Sequence, residues 1–404
     1  MKILFTSPIL EHPAAGGPQL RIENSIKALV KLGEVTVVSR LREKLIGGPQ
    51  ASSFYAGLAH SFCFSPSAFL SENLVLRNLQ KLFYKYLHPD ADADFLIRLF
   101  DKDKMDVLWF GYGNISWPLI RAIKGRRPDI KVVCDTDSVW SRFLLRELEV
   151  ESDPQRRAQI EREGKAKEVE ERDWTGLCEA TLAVSEVDAA YYRSIAADPA
   201  RVHVFSNVID LASYEKFPDA APGLKHPSIY LAGTYGHAAS PMDRAARWVL
   251  EEVLPLLRAE IPDLHFYIVG KNSELTLADA QGPNVTVTGR LPTVLPYLCH
   301  MDVVLVPLKF ESGTRFKILE SGACRKAVVS TTLGAEGIPV TDGQNILLAD
   351  EPRPFAEAIL RLLRDPGLRQ RLGDDLHALV EENYSVDTLV RQGRAVLARL
   401  GGGA

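Results

Sequence analysis

Arg315, Lys317 and Glu320 carry the strongest chemical signal in the chain, directly after an apolar run and a Ser312-Gly313-Thr314 turn. The run over 303–308 is continuously apolar, the pattern of a parallel strand buried on both faces. A helix is expected to begin near Thr314, with Arg315 and Lys317 in its first turn and Glu320 about one turn on. A helix start offers unpaired N–H groups and a partial positive charge, and so suits an anion. Two extra cations at that end oppose the macrodipole, a cost that a doubly charged phosphate would reverse. Glu320 would then lie near the hydroxyls of an attached ribose. The plainer alternative is a solvated pair of cations at a helix start.

Further candidates stand where other strands end. Gly16-Gly17 follows the first strand and opens a helix, so backbone can approach a ligand there; a tight turn would account for the pair equally well. The spacing is not GxGxxG, and the second strand ends in Ser39-Arg40 rather than the acidic residue a dinucleotide site needs. Gly233, Thr234, Tyr235, Gly236 and His237 occupy the matching place in the second half and suit a diphosphate or a sugar. Lys271, after Gly270, and Arg290, after Gly289, end further strands and are candidates for lining a nucleotide pocket. The turn Gly334-Ala335-Glu336-Gly337 is expected to bring backbone N–H groups toward the same phosphates. Asp135-Thr136-Asp137 matches the short DxD pattern of metal-dependent sugar transferases, whose metals need hard oxygen ligands. A non-metal role for this pair is preferred: hydrogen bonding to an acceptor hydroxyl, or general-base work by Asp137. The expected metal set is therefore none. The chain carries no Gly-x-Ser-x-Gly elbow, His-Glu-x-x-His or Walker sequence.

Positioning these residues requires a layered α/β scaffold. Strand-like runs at 2–6, 34–39, 106–110, 131–135, 181–184 and 202–205 alternate with amphipathic stretches, then the rhythm restarts at 228–233, 264–270, 285–288, 302–307, 327–331 and 346–349. The expected fold is α/β, two Rossmann-like doubly wound parallel-sheet domains facing a cleft, where small molecules usually bind. A Pro-bearing stretch with Pro218, Pro222 and Pro227 reads as a linker. The expected division is 1–210, a linker at 211–227, a domain at 228–385, and a terminal helix at 386–404. The clearest helix of the second half is expected over 242–260. Residues 146–173 read as a solvated, charge-laced helix, and 69–87 as a core helix, with a basic membrane-touching helix as the alternative. Arg121, Lys124, Arg126 and Arg127 form a basic patch that either approaches anionic lipid or is simply solvated.

The 404 residues suffice for two or three domains, and 46% hydrophobic with 25% charged content is ordinary for a globular protein. A net charge of −4 argues against a general nucleic-acid binder. No apolar stretch approaches the roughly 20 residues needed to span a bilayer, and residues 1–10 read as a strand rather than a signal peptide. The five scattered cysteines have no zinc-site spacing and fit a reducing cytoplasm, possible contact with the inner membrane face being left open.

With these motifs in place, the chain resembles the retaining, nucleotide-sugar-dependent glycosyltransferases of GT-B fold, especially the large family four. The resemblance rests most on Val306-Pro307-Leu308 through Glu320 and on Gly334-Ala335-Glu336-Gly337. It is supported by Gly16-Gly17 with Arg21, Ser185-Glu186, the stretch Asn207 to Asp210, and the Gly270 and Gly289 turns. It implies that Arg315 and Lys317 hold the donor diphosphate, that Glu320 binds the ribose, and that the Gly16-Gly17 loop borders donor and acceptor. It further implies an N-terminal acceptor domain, a C-terminal donor domain, and a last helix packed back on the former. The implied partners are a nucleotide sugar and a glycan or lipid-linked acceptor in bacterial surface polysaccharide synthesis, with no cofactor. Two positions depart from the family pattern: Ser312 stands where an acidic residue is frequent, and Asp137 where a histidine is. A nucleotide-sugar epimerase or a non-catalytic two-lobed binding protein of the same architecture are the rival readings.

Overall fold

The computed structural model describes residues 1–14, 16–66, 89–236 and 240–401. The expected helix at 69–87 and His237 therefore lie outside the described residues. The chain divides into two compact units: Met1–Ser141 with Arg162–Val208 and Val386–Ala404, and Arg142–Glu161 with Ile209–Ser385. The division falls inside the helix Trp140–Arg146, so a segment from the first half of the sequence belongs to the second unit.

The first unit holds strands β1 (Lys2–Ser7), β2 (Glu34–Ser39), β3 (Ser61–Phe64), β4 (Val107–Gly111), β5 (Val132–Asp135), β6 (Ala180–Ala183) and β7 (Val202–Val204). They form one sheet in the order β3-β2-β1-β4-β5-β6-β7, with every pair parallel. Successive side chains alternate between faces. Ile3 and Phe5 of β1 join Val107 and Trp109 of β4 in one core, while Leu4, Leu108 and Phe110 enter the other. Helix Gly17–Leu29 covers the first face with Ile22, Ile26 and Leu29, and helix Val386–Gly401 adds Leu389, Val396 and Leu397 to the same core. Strand β3 is not among the runs expected from the sequence: Ser61–Phe64 is an edge strand of only four residues with exposed or partly buried side chains, too short for a strand period to show.

The second unit holds β8 (Ser228–Ala232), β9 (His265–Val269), β10 (Val285–Val287), β11 (Val303–Val306), β12 (Val328–Ser330) and β13 (Leu347–Leu348). Their order is β10-β9-β8-β11-β12-β13, again all parallel. The six apolar runs expected in this half each contain one of these strands. The helix expected over 242–260 is Pro241–Trp248, a π-helical segment Val249–Val253, and Leu254–Glu260. Pro255 has no N–H to donate back to the preceding turn, which accounts for the local widening.

Both sheets reverse their winding once, between β1 and β4 and between β8 and β11. At such a switch point the connections leave in opposite directions and open a crevice at the carboxyl ends of the strands. In the second unit that edge carries the Gly233 turn after β8 and the Ser312 turn after β11.

Candidate functional site

In the second unit, the turn after β11 leads into helix Phe316–Ala323. The helix begins two residues later than the sequence suggested: Arg315 is its extended N-cap residue (φ −94°, ψ 106°), not part of its first turn. Its side chain is buried and folds back over the turn. Nη1 donates to the carbonyls of Ser312, at 3.0 Å, and Gly313, and Nη2 donates to the Leu333 carbonyl at 3.4 Å. Arg315 therefore ties the turn after β11 to the turn after β12. Gly313 adopts the left-handed conformation (φ 80°) that lets the chain reverse here.

Lys317 differs in kind. It is half-buried, and its side chain makes no hydrogen bond or ion pair among the described residues, while its carbonyl accepts from Ser321 Oγ at 2.6 Å. Burial lowers its pKa and the Arg315 charge lowers it further, against Glu311 and Glu320. A partly desolvated, unneutralised cation beside helix N–H groups without intrahelical partners is chemically able to hold an anion. Glu320 lies one turn on, half-buried, with Tyr214 donating to Oε1 at 3.1 Å. Burial raises its pKa, against the Tyr214 hydrogen bond and the Lys317 charge. Its other oxygen has no hydrogen bond among the described residues and remains an acceptor for a hydroxyl. Ser312 and Thr314 are buried within the turn.

The Gly334 turn packs against the same loop. A Cβ at Gly334 would lie 2.3 Å from the Val306 carbonyl oxygen, so only glycine fits. Three of its four N–H groups are engaged within the fold and not turned to a ligand: Gly334 N donates to Thr331 Oγ1, Ala335 N to Thr331 O and Glu336 N to Leu333 O. The turn's chemistry instead lies in Glu336, which accepts from Arg146 Nη2 at 2.6 and 2.9 Å and from Arg142 Nη2 at 3.2 Å. Partial burial pushes the Glu336 carboxyl up, but the Arg146 hydrogen bond and the Arg146, Arg142 and Arg315 charges outweigh it and hold it below its ordinary value. Arg146 Nη1 also donates to the Glu311 carbonyl at 2.7 Å. The sequence puts Arg146 at the start of a solvated charged stretch and singles out no role for Arg142; nothing in their local pattern announces a partner 190 and 194 residues away. Beside this turn lies a groove of about 520 Å³ with Leu308, Glu336, Ile338 and Asp350 among its lining residues.

The remaining second-unit candidates are less engaged. Gly233 N and Tyr235 N donate to Val269 O and Lys271 O, which knits the turn after β8 to the one after β9. Thr234, Lys271 and Arg290 are exposed.

In the first unit, Gly16 is the extended N-cap and Gly17 the first residue of helix Gly17–Leu29, with Pro18 next. Asp135 is fully buried and ion-paired to Arg21, with Trp109 Nε1 at 3.4 Å. The Arg21 guanidinium also donates to Asn207 Oδ1 at 2.8 Å and to Phe205 O at 3.1 Å. This corrects the expectation for Asp135: it neutralises an interior arginine and is offered to neither acceptor nor metal. Asp137, at the same strand end, is half-buried and accepts from Asn114 Nδ2 and, at 3.3 Å, from Trp140 Nε1. Burial raises its pKa, in the direction a general base needs. No cluster of three or more potential metal ligands occurs among the described residues. Three of the four cations of the basic patch have acidic partners. Lys124 is buried against Glu179 at 2.8 Å, Arg126 pairs with Asp94 at 2.5 Å, and Arg127 pairs with Asp101 and Asp129 at 2.7 Å each, leaving Arg121 exposed. No helix among the described residues is long and apolar enough to cross a membrane.

Residues 229–365 match the family model described as glycosyl transferases group 1. An uncharacterized glycosyltransferase of Methanocaldococcus jannaschii is 30% identical over 122 residues, 28% of this chain and 34% of that protein. An uncharacterized 44.6 kDa protein in the cps region of Klebsiella pneumoniae is 23% identical over 147 residues, 34% of this chain and 38% of that one. The alignments thus span about a third of these curated relatives. Among solved structures, sucrose-phosphate synthase of Thermosynechococcus elongatus superposes with a TM-score of 0.69 at 16% identity over the full length of both chains. Anabaena HepE in complex with UDP and glucose gives 0.66 at 13%, covering 99% of this chain and 100% of that one. WaaG, a glycosyltransferase involved in lipopolysaccharide biosynthesis, gives 0.64 at 14% with the same coverage. At these identities the likeness establishes the fold, which is GT-B. Together with the match over 229–365 it supports a glycosyltransferase.

Proposed function

We propose that this GT-B chain transfers a sugar, with retention of anomeric configuration, from a nucleoside-diphosphate donor to a glycan or lipid-linked acceptor in surface polysaccharide or glycoconjugate synthesis. The observation that carries the reading is Lys317: a half-buried cation without an ion pair, next to a helix N-terminus and one turn from an acceptor-only carboxylate, Glu320. A diphosphate satisfies the first two features and a ribose diol the third. Lys317 and the first N–H groups of the helix would stabilise charge as it develops on the leaving diphosphate, with Arg315 holding the turn that presents them. The acceptor oxygen would bond to the anomeric carbon on the face from which the diphosphate departs, so no protein nucleophile is required, and the leaving phosphate oxygen can itself accept the acceptor's proton. Asp137 is the first-unit carboxylate suited to holding an acceptor hydroxyl.

That HepE has been seen with UDP and UDP-glucose, and that WaaG takes part in lipopolysaccharide synthesis, supports a nucleotide-sugar donor and a surface-glycan setting for this chain. The test is a thermal-shift screen of the purified protein against UDP, GDP and ADP and their sugars, followed by product analysis with and without glycan acceptors. Stabilisation by one nucleotide that is lost in Lys317→Ala, with transfer only when an acceptor is present, supports the reading. Sugar isomerisation without acceptor would favour an epimerase instead, and the absence of any shift would refute the donor site.

A further inference from the structure

The turn Glu311–Thr314 is held by two guanidiniums. Arg146 Nη1 binds the Glu311 carbonyl at 2.7 Å, and Arg315 Nη1 binds those of Ser312, at 3.0 Å, and Gly313. Three successive carbonyls thus accept from arginines. In a trans peptide the carbonyl and the following N–H point in opposite directions. Fixing these carbonyls therefore fixes the Ser312, Gly313 and Thr314 N–H groups away from the arginines. The Ser312 N–H is taken by Glu311 Oε1 at 3.2 Å, and the Gly313 N–H follows it on the way to the helix N-terminus. Each arginine has a second hold on the turn after β12, Arg315 through the Leu333 carbonyl and Arg146 through both Glu336 oxygens. Arg142 shares Glu336, so the carboxylate is gripped by two cations. Side-chain exposures of 16% for Arg146 and 24% for Glu336 take the pair well out of water. The contact thereby becomes more than a screened surface ion pair.

From this geometry we infer that Arg146, anchored by Glu336, is a positioning residue for the diphosphate site: it sets the direction of the amides before Lys317 without touching the ligand. The inference rests on the donor-site reading above and adds a residue from the segment Arg142–Glu161, which the sequence places in the other half of the chain. It also has a sign that simple electrostatics does not share. Neutralising Glu336 would release two cations close to the anion site, so a role through charge alone predicts tighter anion binding. A positioning role predicts weaker binding, because Arg146 loses its anchor and the turn its constraint.

The experiment titrates UDP, GDP and ADP by calorimetry into the wild-type protein and the variants Glu336→Gln, Arg146→Ala, Arg146→Lys and Lys317→Ala. Amide hydrogen exchange is followed over residues 311–317 in the same proteins without ligand. The expected result is an affinity loss of about tenfold or more in Glu336→Gln and Arg146→Ala, partial recovery in Arg146→Lys, and faster exchange confined to the turn while β11 and β12 remain protected. Tighter binding by Glu336→Gln would overturn the positioning role, as would unchanged exchange in Arg146→Ala. Loss of binding in Lys317→Ala with wild-type affinity in both Glu336→Gln and Arg146→Ala would overturn the inference and leave the donor site standing. No binding of any nucleotide by the wild type would overturn the donor site and this role with it.

Discussion

Glu171 offers a quantitative check on the first unit. It lies on helix Pro154–Leu177 with 1% of its surface exposed. Its carboxylate accepts from the backbone N–H groups of Trp140 at 2.8 Å and Ser141 at 3.1 Å and from the Ser141 hydroxyl, at the start of helix Trp140–Arg146. Burial raises its pKa from 4.5 to about 7, against those three hydrogen bonds and the Lys167 charge. A folded-state pKa above the unfolded one means that the folded protein binds the proton more tightly. The resulting stabilisation is complete below pH 4.5 and is lost as pH rises through about 7. The gap between those two values, at 1.36 kcal/mol per pH unit, amounts to about 3 kcal/mol. Glu171→Gln keeps the shape and the acceptor but removes the titration. Urea unfolding of the wild type and Glu171→Gln, at half-unit steps from pH 4 to pH 8, should show the wild type losing about 3 kcal/mol relative to the variant across that range. A stability difference that stays flat within about 0.5 kcal/mol would refute the buried-carboxylate argument.

Lys317→Ala should cost about 2–4 kcal/mol of transition-state stabilisation in sugar transfer, read as a fall in kcat/KM with thermal stability preserved; turnover at the wild-type level would refute the phosphate assignment. Arg21→Ala removes the partner of a fully buried carboxylate and should destabilise the first unit by about 3–5 kcal/mol in chemical denaturation, and a loss below about 1 kcal/mol would show that Asp135 takes up a proton instead. Gly334→Ala would force a methyl group to within 2.3 Å of the Val306 carbonyl oxygen. A melting experiment should register a loss of about 1–3 kcal/mol, and unchanged stability would mean that the turn is free to shift.

The sequence alone determined most of the elements and the local order of the Ser312–Glu320 motif. A buried parallel strand must be apolar throughout, and a covering helix apolar on one stripe, so 303–308 and the stretch ahead of Leu29 announced themselves locally. Chain order likewise fixed that Lys317 and Glu320 follow a strand and a tight turn, because that relation spans only a few residues. What each charged group does was decided by tertiary structure. Arg315 and Lys317 look alike in sequence, yet one is spent on three carbonyls and the other is left without an ion pair, since only the folded loop sets which carbonyls lie within reach. Asp135 and Asp137 are two residues apart, a spacing that strand alternation would put on one face, but β5 ends at Asp135, so Asp135 is held in the core against Arg21 while Asp137, beyond the strand end, is half-buried. Arg146 and Glu336 meet across 190 residues, and no local pattern encodes such a pairing: its energy appears only when packing has removed both groups from water.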